Sequence, residues 1–259
     1  ERGAAHHRDD FAGDGTGTQR ELDVLFGEVA LFEVLVHQLF VGFGRSLDHL
    51  LAPGASLVNE FGHEASGVHV PTARCRIVKS FLESKQRPEW LWMVDTDATF
   101  SDGILEQLIK SADPKERPIV GALAFGVRGV KGADGEPLRN EVGASPLELF
   151  PTLYVWDDKG TQAIRQYPLN EVIQVNATGA HCLLIHRSVL EDPRWTDDGH
   201  PLPWFRTGVR LGQEVSEDQF FCIKAQTFGY PIHVDTAAKT GHVKTFIADE
   251  DLYLAQVGR

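Results

Sequence analysis

The sequence predicts an α/β fold built on a mostly parallel sheet, and two features of its patterning support this prediction. In the first half of the chain, short apolar runs alternate with segments whose apolar residues recur at helical spacing. The run at 90–94, WLWMV, is apolar throughout, which is typical of a strand buried on both faces of a parallel sheet. The length of 259 residues favours one large domain over two small ones.

The elements of the first half follow a strand–helix rhythm. In chain order they are predicted as a strand at 29–34, a helix at 42–51, a strand at 55–61, a helix at 72–83, a strand at 90–94, a helix at 101–110 and a strand at 118–125. Pro71 lies near the first turn of one helix, where proline is favoured. Ser101 or Asp102 is the expected N-cap of the next helix.

The second half breaks this rhythm and predicts mixed strands. The strand-like runs 149–156 and 162–167 flank the turn sequence DDKG, which is a hairpin signal. The remaining predicted elements are strands at 172–175, 182–186 and 231–235, a flexible glycine-containing active-site loop at 208–215, and a helix at 216–228. Gly229 follows that helix at the position where a terminating glycine is expected.

Composition and charge argue against several classes of protein. The net charge of −12 argues against non-specific binding to nucleic acid or to anionic membranes. The three cysteines occur singly, so neither a zinc knuckle nor a disulfide framework is predicted, and a reducing, cytoplasmic location is expected. No apolar stretch reaches the length of a transmembrane segment. Residues 1–27 are predicted to be a mobile lead-in, and 28–259 to form a single domain.

The most informative motif is Asp95-Thr96-Asp97, which directly follows the apolar run. Ligands of open parallel sheets bind outside the carboxyl ends of the strands, so both carboxylates are expected at a binding edge. Hard oxygen ligands suit Mg²⁺ or Mn²⁺, and such an ion can also bind the phosphates of a nucleoside diphosphate. The alternative is a solvated turn that caps the following helix.

Three segments resemble the GT-A fold glycosyltransferases, which use nucleotide-sugar donors and hold a metal ion with a DxD motif. They lie in the family's order within 68–246 and read VPTARCRIVKSFL followed by WLWMVDTDATF, then VNATGAHCLLIHRSVLE, and finally SEDQFFCIKAQTFGYPIHVDTAAKTGHV. Bacterial and phage members are the most similar. The resemblance implies a GT-A, Rossmann-like nucleotide-binding sheet up to about residue 126 and an acceptor-binding half with mixed strands over 127–259.

The resemblance also implies a substrate class and a cofactor. The expected activity is that of a hexosyltransferase with Mn²⁺ or Mg²⁺ as its metal ion. The donor is expected to be a nucleoside-diphosphate sugar, with a UDP-sugar favoured. The acceptor is expected to be a hydroxyl group on a glycan, a protein or a lipid.

The expected metal ligands are Asp97, Asp95 and His242. Asp97 is predicted to bind the ion directly, and Asp95 to bind either the ion or the donor ribose. His242 matches the late histidine that completes the metal shell in the family. A lone histidine is otherwise more often a hydrogen-bonded core or surface residue.

Three further residues are candidates for the donor site. Arg74 can meet a phosphate, although an arginine on a surface helix is the commoner case. Gly179 and Ala180 belong to a tight turn of small residues that lets a substrate approach the backbone. The alternative for this turn is a simple connection between strands.

Glu217 and Asp218 are the catalytic candidates because they begin the helix predicted at 216–228. A carboxylate there can remove the proton of an acceptor hydroxyl if it lies within hydrogen-bond reach. Likeness to inverting members implies that Asp218 is the general base and Glu217 a positioning residue. Ordinary N-terminal helix capping by acidic residues is the alternative, and a retaining mechanism stays open.

Two other functions compete with this one. A nucleotidyltransferase also combines carboxylates with a metal ion on an α/β sheet, but the chain has only a poor version of the glycine-rich phosphate loop expected after the first strand. A non-catalytic carbohydrate-binding protein of the same fold would need no general base beside a metal ion.

Overall fold

A mixed β-sheet is the central element of the structure, which is a computed structural model. It describes residues 29–36, 58–66, 69–130, 136, 147–158, 160–243, 247–248, 250 and 253–254, and for 29–36, 58–66 and 247–248 only the backbone is described. The lead-in predicted at 1–27 and the helix predicted at 42–51 lie outside the described residues.

The strands and helices follow the predicted order. The strands are β1 Val29–Val36, β2 Val58–Ser66, β3 Trp90–Asp95, β4 Ala98–Phe100, β5 Ile119–Leu123, β6 Phe125–Gly129, β7 Leu147–Pro151, β8 Leu153–Asp157, β9 Gly160–Ala163, β10 Val172–Val175, β11 Ala177–Thr178, β12 Cys182–His186, β13 Gly208–Arg210, β14 Gln213–Val215, β15 Ile232–Val243 and β16 Ile247–Ala248. The helices are α1 Val70–Glu83, α2 Ile104–Ser111, α3 Arg187–Leu190 and α4 Glu217–Thr227. No helix in the described part of the chain combines the length and the apolar character that crossing a bilayer requires.

The central sheet has the strand order β10-β15-β5-β12-β3-β1-β2, and the short strands β4 and β16 pair with β15. Strand β1 is parallel to both β2 and β3, and β5 is parallel to β15. Strand β12 lies between β3 and β5 and is antiparallel to both. The α/β class with a parallel first half and mixed later strands is therefore confirmed.

Strand β3 is buried on both faces, as its uninterrupted apolar sequence predicts. Leu91 and Met93 belong to the core cluster that contains the buried face of α1. Trp90, Trp92 and Val94 belong to the cluster that contains the buried face of α2. Alternate side chains of a strand point to opposite faces, so β3 contributes to both core layers.

Several predicted boundaries were wrong. Gly103, with φ +83°, occupies the N-cap of α2, and no side chain caps that helix, so neither Ser101 nor Asp102 does so. The strand expected at 231–235 extends to Val243, because its second half continues along β4 and β16. The predicted flexible loop at 208–215 is a two-stranded hairpin of β13 and β14. The end of α4 was predicted correctly, since Gly229 follows it with φ +93°.

Candidate active site

Three separate parts of the chain meet at the carboxyl end of β3. Asp95 is the last residue of β3, and Asp97 follows in the turn to β4. His181 directly precedes β12, which runs antiparallel to β3 and therefore begins at the edge where β3 ends. The late part of β15 brings His242 beside β4 at this edge. Backbone hydrogen bonds from Asp95 N to His181 O (2.9 Å) and from Val243 N to Asp97 O (2.7 Å) fix the arrangement.

Asp97, His181 and His242 form a group with the geometry of a metal site. Each offers one ligand atom, and these atoms all lie within 4.8 Å of one another. His242 Nε2 lies 2.8 Å from Asp97 Oδ2, and His181 Nδ1 lies 3.8 Å from Asp97 Oδ1. The two imidazole rings are 4.3 Å apart between centroids. One carboxylate and two imidazoles, converging at a sheet edge, are a donor set suited to a divalent cation.

The hydrogen bonding of His181 supports this reading. Its Nε2 lies 3.2 Å from the carbonyl oxygen of Gly241, which can only accept a hydrogen bond, so the proton belongs on Nε2. In the neutral imidazole the lone pair is then on Nδ1. That nitrogen is buried and forms no hydrogen bond with any described residue. In a metal-ligating histidine, one ring nitrogen typically presents its lone pair to the ion while a hydrogen bond at the other nitrogen fixes the tautomer.

Asp95 lies beside this group but is held by a different partner. Its two oxygens accept hydrogen bonds from Arg74 Nη2, at 3.0 Å to Oδ1 and 2.9 Å to Oδ2. Burial is the largest single influence on the pKa of Asp95 and would raise it, but the neighbouring Arg74 and His181 together outweigh burial, and the pKa lies below its ordinary value. Asp95 Oδ2 is also 3.5 Å from His181 Nδ1. The structure therefore places Asp95 next to the three possible ligands, with its charge already matched by an arginine.

Arg74 is a buried residue of α1 and lies between two acidic side chains. Besides Asp95, it donates from Nη1 to Glu217 Oε1 at 2.5 Å. Burial lowers the pKa of Arg74, but the neighbouring Asp95 and Glu217 carboxylates outweigh it and raise the pKa above its ordinary value. The predicted contact with a donor phosphate remains a prediction.

The two catalytic candidates at the start of α4 differ in their surroundings. Burial is the largest influence on the pKa of Glu217 and raises it, although Arg74 acts in the opposite direction. Asp218 accepts hydrogen bonds at Oδ1 from the backbone nitrogen of Gln219 (2.7 Å) and from the hydroxyl of Ser216. These contacts leave its Oδ2 on the side that faces Gly179.

Gly179 leaves a gap between Asp218 and Thr152. A Cβ atom at Gly179 would lie 3.6 Å from Asp218 Oδ2 and 3.4 Å from Thr152 Oγ1. Thr152 is itself fixed, since its backbone nitrogen and its hydroxyl both donate to the carbonyl oxygen of Ala124. Ala180, the other small residue predicted for this turn, is buried. A hydroxyl oxygen and a carboxylate oxygen thus border a space that the absence of a side chain keeps open.

Comparisons with known sequences do not assign the chain to a family. No protein-family profile matches the chain. A stretch of 49 residues is 53% identical to an uncharacterised 66.3 kDa protein of Eikenella corrodens, but it covers 19% of this chain and 8% of that protein, which is too little to assign a family.

Among solved structures, A197 from STIV is similar with a TM-score of 0.49 at 16% identity, over 84% of this chain and 86% of that one. The glycosyltransferase GalNAc-T7, solved with UDP, GalNAc and Mn²⁺, is similar with a TM-score of 0.51 at 11% identity. That match covers 85% of this chain and 43% of GalNAc-T7, so this chain spans less than half of that protein's length. The fold is GT-A-like.

The GT-A-like fold confirms the fold class that the sequence predicts. At 11% identity it shows shared architecture alone, because one fold can host unrelated chemistries. The chemistry that this chain can perform therefore depends on the residues at the end of β3 and the start of α4.

Sequence reasoning missed two residues of the candidate site, His181 and Thr152. His181 lies in the quoted segment VNATGAHCLLIHRSVLE, but nothing in that segment shows that the following strand runs antiparallel to β3. Thr152 lies between β7 and β8, and no local pattern singles it out. Knowing the strand direction would have been enough to place His181 at the edge with Asp97.

Proposed function

We propose that this chain is a metal-dependent glycosyltransferase that moves a sugar from a nucleoside-diphosphate sugar, with a UDP-sugar as the expected donor, to a hydroxyl acceptor. The observation that carries the proposal is the convergence of Asp97, His181 and His242 at the carboxyl end of β3 in a GT-A-like sheet. This is the sheet edge at which α/β folds bind ligands. The presence of UDP and Mn²⁺ in the GalNAc-T7 structure supports the same substrate class.

The donor set favours Mn²⁺ over Mg²⁺. Mg²⁺ prefers oxygen ligands, whereas two of the three candidate ligands here are imidazoles, which suit transition metals. When bound, the cation would neutralise negative charge on the diphosphate leaving group. Asp95, charge-matched by Arg74, is then suited to a hydrogen bond with the donor ribose.

The protein's own contribution to transfer comes from the acceptor side. The acceptor hydroxyl would occupy the gap at Gly179, between Asp218 Oδ2 and Thr152 Oγ1. Its oxygen forms the new bond to the anomeric carbon, the bond to the diphosphate breaks, and its proton passes to Asp218. Asp218 lies in the first turn of α4, where a carboxylate interacts favourably with the helix dipole. One such base on the acceptor side corresponds to an inverting reaction.

The direct test is a screen of nucleotide sugars for Mn²⁺-dependent release of the nucleoside diphosphate. We expect turnover that stops when the metal is chelated, returns with Mn²⁺, and is lost in Asp97→Ala. Glu89→Ala is the control, because Glu89 is an exposed acidic residue that directly precedes β3, at the end of the strand opposite to Asp97. Turnover that survives complete metal removal would refute the metal dependence. Pyrophosphate release from a nucleoside triphosphate would identify a nucleotidyltransferase instead, and binding without turnover a carbohydrate-binding protein.

A further inference from the structure

We infer that Arg74 is a positioning residue that anchors the first turn of α4 to the end of β3 through Glu217, so that Asp218 faces the acceptor. This inference rests on the proposed function, because it assigns Asp218 to the acceptor side. It also assigns Glu217 the role of an anchor and not that of a proton acceptor.

The contacts of Arg74 connect two distant parts of the chain. Its Nη2 donates to Asp95 at the end of β3 (2.9 and 3.0 Å), and its Nη1 donates to Glu217 at the start of α4 (2.5 Å). The guanidinium is planar and its donors are fixed in a fork, so it sets the direction of both carboxylates together. A lysine would supply the same charge from a single point and could not hold both carboxylates in this geometry.

Burial makes this link strong. The side chains of Arg74, Asp95 and Glu217 are 5%, 12% and 18% exposed. Water therefore has little access to these groups and cannot easily replace the ion pairs between them. Removing one partner from a buried ion pair leaves an uncompensated charge, which is far more damaging than losing a surface pair. The first turn of α4 is therefore held in place by a largely buried ionic contact, in addition to its apolar packing.

This anchor determines where the next residue points. Successive residues of an α-helix are about 100° apart around its axis. With Glu217 turned towards Arg74, Asp218 lies on the neighbouring side, where its Oδ2 borders the gap at Gly179. Loss of the anchor would let the first turn of α4 shift, and a shift of about 1 Å at a reacting group can reduce a rate by about 100-fold.

Glu217→Gln and Glu217→Ala separate an anchor from a general base. Glutamine keeps an oxygen for Arg74 Nη1, so we expect kcat to fall by about tenfold or less. Alanine removes the contact, and we expect kcat to fall by about 100-fold with the pH profile of the remaining activity unchanged. Equal loss in both variants, together with loss of the acidic limb of the pH profile, would make Glu217 the base and overturn the inference.

Glu191→Ala is the control for loss of an arginine–glutamate pair elsewhere. Glu191 accepts from Arg187 at 3.1 Å, and Arg187 lies at the opposite end of β3, where its backbone nitrogen donates to Glu89. We expect this variant to leave kcat unchanged at a temperature where it is folded. An equal loss of kcat in Glu191→Ala and Glu217→Ala would overturn the inference, because the effect would then reflect general destabilisation.

A stability measurement tests the anchor even if no transfer is found in the wild type. We expect Glu217→Gln to lower the Tm of the wild-type protein, because it weakens the ion pair. In an Arg74→Gln background the same change should raise the Tm, because it removes a buried charge that no longer has a partner. If Arg74→Gln does not fold, Arg74→Lys serves as the background, where the effect of Glu217→Gln should be smaller than in the wild type. Equal Tm shifts in both backgrounds would overturn the anchor, whereas absent transfer with unequal shifts would refute only the proposed function.

Discussion

Gly179→Ala adds one methyl group to the gap that we assign to the acceptor hydroxyl. The new carbon would lie 3.6 Å from Asp218 Oδ2 and 3.4 Å from Thr152 Oγ1, which are ordinary van der Waals distances. Gly179 is not among the described glycines with positive φ, so alanine fits its backbone conformation. The fold should therefore tolerate the change, with a free energy of unfolding that is unchanged or up to about 1 kcal/mol higher.

The effect on transfer should be large. An acceptor oxygen must come within about 2.7 Å of Asp218 Oδ2 to pass on its proton. A methyl carbon on the same side of that oxygen displaces the acceptor by about 1 Å, for which we expect kcat/KM to fall by about 100-fold. Initial rates of sugar transfer with Mn²⁺ measure this loss, and thermal melting by circular dichroism measures the stability.

Gly229→Ala is the matched glycine control, with the opposite expectation. Gly229 has φ +93° after α4, and a Cβ there would meet nothing within 4 Å. Alanine in this left-handed conformation should cost about 1–2 kcal/mol of stability without changing kcat/KM. If Gly179→Ala keeps kcat/KM within about twofold of the wild type, the acceptor does not react in this gap and Asp218 is not its base.

Two further predictions concern stability. Asp192 caps the 3₁₀ turn at 193–195, and its hydrogen bonds with Arg194 lower its pKa to about 2. The ionised carboxylate of Asp192 therefore adds to the free energy of unfolding at pH values above its ordinary pKa of about 4, and this stabilisation is lost as the pH falls through about 2. We expect Asp192→Asn to lower the Tm at pH 7 and to match the Tm of the wild type near pH 2. An equal Tm difference at both pH values would contradict this assignment. Phe221 is buried between Phe205 (4.7 Å between ring centroids) and Trp195 (5.2 Å), so Phe221→Ala should cost about 3–5 kcal/mol in urea unfolding. A loss below about 1 kcal/mol would show that this stack does not support α4.

The sequence correctly predicted those strand and helix bounds that depend on residues close together in the chain. The apolar run at 90–94 is a doubly buried strand, and β10 and β12 have the predicted bounds of 172–175 and 182–186. The end of α4 was predicted because Gly229 removes the steric cost of a left-handed residue. The order of the strands and the antiparallel direction of β12 between β3 and β5 were not predictable in this way, because pairing depends on contacts between residues far apart in the sequence.

The sequence also predicted only part of the candidate site. Asp97 and His242 were proposed together from the motif and the family resemblance, and the structure brings their side chains within 2.8 Å. His181 was missed because its place beside Asp97 depends on the antiparallel direction of β12. The pairing of Arg74 with Asp95 and Glu217 was also not visible, since no sequence pattern reports an ion pair between residues 143 positions apart.

A titration of Mn²⁺ alone into the wild-type protein and single-site variants, followed by electron paramagnetic resonance, tests the central claim most directly. We predict one bound ion per chain in the wild type. His181→Gln and Asp97→Asn should each weaken Mn²⁺ binding by at least about 100-fold. This is more than the loss typical of residues that only form hydrogen bonds with the ligands. Asp95→Asn should weaken binding by about tenfold or less, and the exposed His200→Gln should leave it unchanged. Unchanged Mn²⁺ binding in His181→Gln, or a larger loss in Asp95→Asn, would contradict the metal site described for Asp97, His181 and His242.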